Sequence, residues 1–295
     1  MRLTKGDIIY QAVIYFVVTL LLLLAVFPLF YVVSSSFVSE TEWTASGGKI
    51  IIPKQPVLDA YRTVLNEGTT FLRAFRVSVT RTLLGTSLTI FFTMCMGYVL
   101  SRRDIPFNKA ILFMTLVTIL FGGGLIPTFL VVNGTKIYNT IWALVIPGLV
   151  DSWAVLVFRQ FFLNTPESIE ESARIDGAGE ITIMWVIVVP LSKAVIAALT
   201  LFTAVSHWNA WFDAAVYLKD ASLKPFQLLM RDLFVNIAIL TQRSSTGSAF
   251  DLSARITPNS VRMAITVLGT LPILCIYPFL QKYFTKGVYM GAVKE

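Results

Sequence analysis

Charge is scarce in this 295-residue chain: Asp, Glu, Lys and Arg together make up 14% of it, against roughly 25% in an average soluble protein. Histidine is nearly absent too, with His207 alone, and there are only two cysteines, Cys95 and Cys275. One histidine excludes a histidine dyad or cluster within the chain. Both cysteines fall inside apolar stretches, so neither a disulfide framework nor a metal-ligand spacing is present. A phosphate-binding G-x-x-x-x-G-K-S/T loop is also missing; the nearest run, Gly122 to Thr128, lacks the lysine and lies in an apolar segment. No catalytic constellation results, and the chain reads as a non-enzyme that binds no cofactor or metal. A repeat of 20 to 50 residues is not visible, which removes a solenoid and gives no support to an inverted-repeat transporter.

Apolar residues fill the space. The chain is 56% hydrophobic with a mean hydropathy of +0.73, and its uncharged runs are long. A span needs about 20 apolar residues to cross roughly 30 Å of hydrocarbon. No charged residue occurs from Ile8 to Ser39, from Thr82 to Ser101, from Ala110 to Thr135 or from Met263 to Gln281. Ala194 to Phe212 contains only His207 as a titratable group, and Tyr138 to Phe158 only Asp151 and the weakly acidic tyrosine. The expectation is an all-α membrane protein with six transmembrane helices, at approximately 10–35, 78–101, 109–132, 138–160, 184–212 and 260–281. Arg2 and Lys5 before the first run resemble a signal peptide, but the run exceeds a signal's 7 to 15 apolar residues, so it reads as a retained anchor.

Loop charge orients the chain. The short loop from Ser101 to Lys109 carries Arg102, Arg103 and Lys109, whereas Asn133 to Asn139 carries only Lys136. The positive-inside rule then places both termini, the second-to-third loop and the loop at 165–180 in the cytoplasm. Two longer excursions, 39–72 and 213–258, become external loops, and 282–295 a cytoplasmic tail. The net charge of +7 is scattered over loops rather than gathered on one soluble domain, so it points to membrane lipid and not to nucleic acid. In the third span Gly122-Gly123-Gly124 and Pro127 bend the helix. Such irregularity survives in lipid where protein or a water-filled cavity satisfies the backbone, although close helix packing is the plainer use of glycine.

The loop at 165–180 is polar where its neighbours are membrane spans. Thr165 before Pro166 predicts an N-cap with proline at the first helical position, and Glu167 suits the positive helix end. Glu170 and Arg174 stand four apart, and Ile169, Ser172, Ala173 and Asp176 share a small face. Gly177 and Gly179 stop or turn the helix, after which Ile181 to Pro190 returns to the membrane. An interfacial helix usually carries bulky apolar residues and many cations; this one carries glutamates and small residues, which favours docking a protein.

At these residues the chain resembles the permease subunits of bacterial ABC importers, marked by a Glu-Ala-Ala triplet followed at fixed spacings by Gly, Ile and Leu-Pro. Here the positions are Glu171, Ser172, Ala173, Gly177, Ile187, Val189 and Pro190, with serine for one alanine and valine for leucine. Ile126-Pro127-Thr128-Phe129, the run from His207 to Asp213 and the ending from Gly287 to Lys294 are similar to carbohydrate permeases of the maltose type, oligosaccharide and polysaccharide-fragment subgroup. The resemblance implies the type I ABC importer permease fold with a cytoplasmic coupling helix, in the bacterial cytoplasmic membrane. It implies a second homologous permease, two ATPase subunits that carry ATP and Mg, and an extracytoplasmic sugar-binding protein. Glu170, Glu171, Ser172, Ala173, Arg174, Asp176 and Gly177 would dock the ATPase, with Glu171 facing a basic residue there. Gly287, Gly291, Ala292 and Lys294 would belong to a tail inserted between the ATPases, for which a frayed terminus is the alternative.

Residues for the substrate pathway follow from polarity at membrane depth, where an unpaired charge costs at least about 2.5 kcal/mol. Arg81 and Asp151 qualify; Arg73, Arg76 and Arg81 at the entry of the second span either attract an acidic sugar or snorkel to headgroups. Trp208, Asn209, Trp211 and Asp213 offer the ring faces and acceptors that a sugar needs, or form an interfacial aromatic belt. Gly123 joins them from the third span. The alternative reading, a secondary transporter or channel with no ATPase partner, has only Arg81, Asp151 and Lys193 for an ion site. An intramembrane hydrolase or transferase lacks histidines and a metal signature.

Overall fold

The computed structural model describes residues 5–47, 50–66, 68–102, 104–244 and 259–275, and no strand occurs among them. The tail residues Gly287, Gly291, Ala292 and Lys294 lie outside the described residues. The chain divides into two compact units, one built from residues 1–71 and 232–271 and the other from 72–231 and 272–295.

In the first unit, α1 (Lys5–Ser35) is apolar on every side and, over its candidate span Gly6–Ser35, shows none of its most apolar stretch buried in the protein. A helix without a polar face belongs in lipid. Beyond it come α2 (Glu40–Ala45) and α3 (Asp59–Asn66). The end of α1 is tied to this segment: Ser34 Oγ donates to the Ile51 carbonyl, Ser36 Oγ meets Tyr61 OH at 2.7 Å, and Val57 N–H donates to Phe37 C=O at 2.9 Å. The stretch expected as an external loop thus folds as a cap with buried Val38, Ile50, Ala60 and Val64.

The second unit holds α4 from residue 72 onward (Gly68–Ser101 in full), α5 (Asn108–Leu120), α6 (Leu125–Gly134), α7 (Ser152–Leu163) and α8 (Glu167–Ile175). After these come α9 (Glu180–Leu191), α10 (Lys193–Asn209), α11 (Phe212–Tyr217) and the start of α12 (Phe226–Ser244). α13 (Asn259–Cys275) is a shorter apolar helix, and by length and composition up to five candidate membrane spans occur among the described residues. Two are single long helices, α1 and α4. Three are pairs broken at a sharp bend: α5 and α6 at 119°, the 3-10 turns of Ile141–Gly148 and α7 at 50°, and α9 and α10 at 82°.

The third crossing is therefore interrupted rather than bent as a continuous helix. Gly124 has φ 79°, a left-handed value that glycine adopts without strain, and it stands at the N-cap of α6. Pro127 then occupies the first turn of α6, where its missing N–H leaves nothing unsatisfied. Glycine and proline here stop one helix and start another. In the fifth crossing a π-turn at Ile183–Val188 precedes Pro190, and the chain changes direction at Ser192; both features release backbone hydrogen bonds that would keep a helix straight.

One core cluster joins α4, α7, α9 and α10 through Met94, Tyr98, Phe158, Phe162, Ile183, Val188, Val195 and Leu199. Gly97 makes this possible, because a Cβ there would meet Phe158 Cβ at 2.7 Å and the Val155 carbonyl at 3.2 Å. A second cluster gathers Val132, Ala143, Leu144, Ala214, Tyr217 and Leu228. Asn139, at φ 58°, clips that end of the unit: its Oδ1 accepts from Lys219 N–H at 2.8 Å and Asp220 N–H at 2.9 Å.

Candidate functional site

Two sites emerge within the second unit, one around α8 and one in a cavity. Helix α8 starts one residue later than the sequence suggests. Pro166 is the N-cap residue, Thr165 makes no capping hydrogen bond, and the Pro166 carbonyl accepts from Ile169 N–H at 3.1 Å. Glu167 and Glu170 lie in the first turn, where the helix dipole favours carboxylates. At the other end Gly177 has φ 85°, its N–H donates to the Arg174 carbonyl at 3.0 Å, and Ala178 N–H donates to the Ala173 carbonyl at 2.9 Å. This pair of bonds is the Schellman arrangement, which requires a left-handed residue at that position.

The helix is anchored by an ionic network. Glu170 is buried at 6% exposure and pairs with Arg102, which follows the end of α4. The Arg102 guanidinium lies 4.4 Å from the Tyr98 ring centroid and reaches Glu180 Oε2 at 3.5 Å. Tyr98 OH donates to Glu180 Oε2 at 2.8 Å, and Arg174 donates to Glu180 Oε1 at 2.8 and 3.1 Å. Burial works to lower the Arg102 pKa, but hydrogen bonds to Glu170 and Tyr98 outweigh it and raise the value. The hydrogen bond to Glu180 raises that of Arg174. The effect is to tie α8 to the end of α4 and the start of α9.

Glu170, expected on the docking surface, is buried and paired within the chain. Its carboxylate faces inward to Arg102, 68 residues away in sequence. Arg174 likewise turns to Glu180, only 3.9 Å from Glu170. Ala173 packs against the core cluster, so the small face imagined for Ile169, Ser172, Ala173 and Asp176 divides. Glu171, Ser172 and Asp176 are exposed, as are Ile169 and, at 86%, Ile175.

The second site is a cavity of about 720 Å³ lined by Arg81 and Thr89 of α4, the segment from Ala143 to Ala154, and Leu199 to Tyr217. Arg81 is 2% exposed, pairs with Asp213 and donates to the Ala210 carbonyl at 2.9 Å. It does not snorkel. Its Nε is buried without a hydrogen-bond partner. Asp151 caps α7, its Oδ1 accepting from Trp153 N–H at 2.9 Å and Ala154 N–H at 3.1 Å. Gly85 gives His207 its room, since a Cβ there would fall 2.6 Å from the imidazole.

Of the pathway candidates, Arg81, Asp151 and Asp213 come together in this wall. The others are placed elsewhere. Trp208 is buried at 6% and packs edge-on to Phe75 and against Phe226, with centroids at 5.7 and 6.2 Å. Trp211 lies under Arg231 at 4.9 Å. Arg76 and Asn209 are exposed away from the cavity, and Gly123 sits in the turn between α5 and α6. His207, Trp153, Thr203 and Ser206 are cavity residues that the sequence reading missed. A signal existed: Thr203, Ser206, His207 and Ala210 fall at i, i+3, i+4 and i+7, one helical face.

No family model matches the chain. It is 38% identical over 271 residues to Protein LplC of Bacillus subtilis (strain 168), covering 92% of this chain and 90% of that one. Over 288 residues it is 35% identical to the polygalacturonan/rhamnogalacturonan transport system permease protein YtcP of the same organism, covering 97% of this chain and 98% of that one. Among solved structures, a chain of a bacterial ABC transporter involved in the import of the acidic polysaccharide alginate superposes with a TM-score of 0.83 at 26% identity. That match covers 96% of this chain and 99% of the other.

Proposed function

The chain belongs to the permease subunits of bacterial ABC sugar importers, and we propose that it passes an oligosaccharide or polysaccharide fragment across the cytoplasmic membrane by alternating access. The power stroke comes from two ATPase subunits that bind ATP and Mg and hydrolyse the nucleotide. A second homologous permease completes the pathway, and an extracytoplasmic binding protein delivers the sugar. Both termini and α8 lie on the cytoplasmic side, in keeping with the cationic loop at Arg102, Arg103 and Lys109. The polysaccharide cargo named for the relatives supports the substrate class.

One observation carries the coupling mechanism: α8 exposes Glu171, Ser172, Ile175 and Asp176 while Glu170 and Arg174 lock it to Arg102 and Glu180. A helix held this way passes a push on its outer face to α4 and α9 instead of tilting freely. Closure of the ATPases would move α8 as a rigid lever, and the attached crossings would shift access to the cavity between the two sides. The docking set becomes Glu171, Ser172, Ile175 and Asp176, with Gly177 setting the turn. The test is co-expression with the second permease and ATPases, reconstitution into liposomes with binding protein, and ATP-driven sugar uptake. Uptake by this chain in liposomes without ATPase subunits would sink the proposal.

A further inference from the structure

The charges in the cavity wall are already balanced within the chain. Among the described residues Arg81 is the one arginine or lysine in the lining, and Asp213 takes its charge. Asp151 faces two backbone N–H groups at the positive end of α7, which compensates a carboxylate at that place. A sugar carboxylate entering here would meet two aspartates and find the arginine of the lining already engaged, an arrangement that disfavours a third negative charge.

Groups that suit an uncharged sugar are nevertheless present. Arg81 Nε is a buried donor without a partner; such a group costs free energy until an acceptor reaches it. Asp151 uses Oδ1 for both capping bonds, which leaves Oδ2 to accept from a hydroxyl. Trp153, 55% exposed, contributes a flat apolar ring to the wall of the kind that covers a sugar's C–H face. Thr89 and His207 add further hydrogen-bonding groups. The volume, about 720 Å³, lies within the range of small-molecule sites.

We propose that the cavity wall built by this chain is a subsite for an uncharged glycosyl unit of the cargo, contacted by Asp151 and Trp153 beside the buried Arg81. Asp213 is the positioning residue that enforces neutrality by cancelling Arg81. The inference rests on the reading of the chain as a permease for oligosaccharides.

The test is equilibrium binding to the purified complex with its second permease and ATPases, without binding protein, so that only the permease cavity selects. Maltotriose and galactotriose serve as neutral probes and trigalacturonate as the acidic one. Wild type should bind one neutral probe at least about tenfold more tightly than trigalacturonate. Asp213→Asn, which keeps an acceptor for Arg81 and removes the charge, should shift that ratio about tenfold toward trigalacturonate, as expected for one freed charge-assisted contact. Asp151→Ser, which preserves the helix cap, should weaken neutral binding about tenfold and keeps the test open if Asp213→Asn does not assemble. Tighter binding of trigalacturonate by wild type, binding of neither class, or an unchanged ratio in assembled Asp213→Asn overturns the subsite. If the wild-type complex still takes up sugar with ATP, only the subsite falls; if it takes up none, the transport reading falls with it.

Discussion

Glu170 and Glu171 are adjacent in sequence and face opposite ways, the first buried against Arg102 and the second exposed on the outer side of α8. One carboxylate holds the helix to the protein; the other is open to solvent.

Glu171→Lys should therefore uncouple without unfolding. Its stability should stay within about 0.5 kcal/mol of wild type, as for an exposed position without contacts. ATP-driven uptake in liposomes should fall at least about tenfold, in line with loss of a charged contact at an interface. Retained uptake with Lys at this position would remove Glu171 from the docking surface.

Arg102→Ala should do the reverse. Removing one member of a largely buried pair leaves the other uncompensated, at a cost of about 3–5 kcal/mol. The loss should appear as faster hydrogen exchange across 167–175 and a lower melting temperature, with Glu170→Gln milder because it still accepts a hydrogen bond. Unchanged exchange in Arg102→Ala would show that the network does not hold α8.

Gly177→Ala should weaken the turn after α8 by about 1–2 kcal/mol, because a Cβ is disfavoured at a left-handed φ. Gly177→Asn should cost less, since asparagine tolerates that region. The order can be read from the exchange rates of the amides at 177 and 178, whose hydrogen bonds close the motif.

Gly85→Ala should clash with His207, whose ring atoms would lie 2.6 to 2.8 Å from the new Cβ. Overpacking of this kind costs about 1–3 kcal/mol. Gly85→Ala combined with His207→Ala should recover most of that loss, and thermal melting of the two singles and the double gives the coupling directly.

Hydrophobic length alone located α1 and α4, because an uncharged run either reaches across a bilayer or does not. The break after Leu120 was visible as Gly122 to Gly124 and Pro127, but its 119° angle was not; breakers mark where a helix ends, while direction is decided by packing. In α8 the stop at Gly177 was legible from the residue type, whereas the inward turn of Glu170 depended on Arg102, 68 residues away. The pairing of Arg81 with Asp213, 132 residues apart, was within reach. In the expected crossings 78–101 and 184–212 the two fall near ends that face the same side, so an intramembrane arginine had a carboxylate at its own depth. Trp208 misled because an aromatic near a membrane surface looks the same in sequence whether it faces sugar, lipid or Phe226.

At Gly97 the backbones of α4 and α7 approach without a side chain between them. Such a contact leaves no room for any side chain at this position of α4. The contact lies next to Tyr98 and five residues before Arg102, the two residues that tie α4 to α8 and the start of α9. Gly97→Ala would therefore force the two helices apart, since the new Cβ would fall 2.7 Å from Phe158 Cβ.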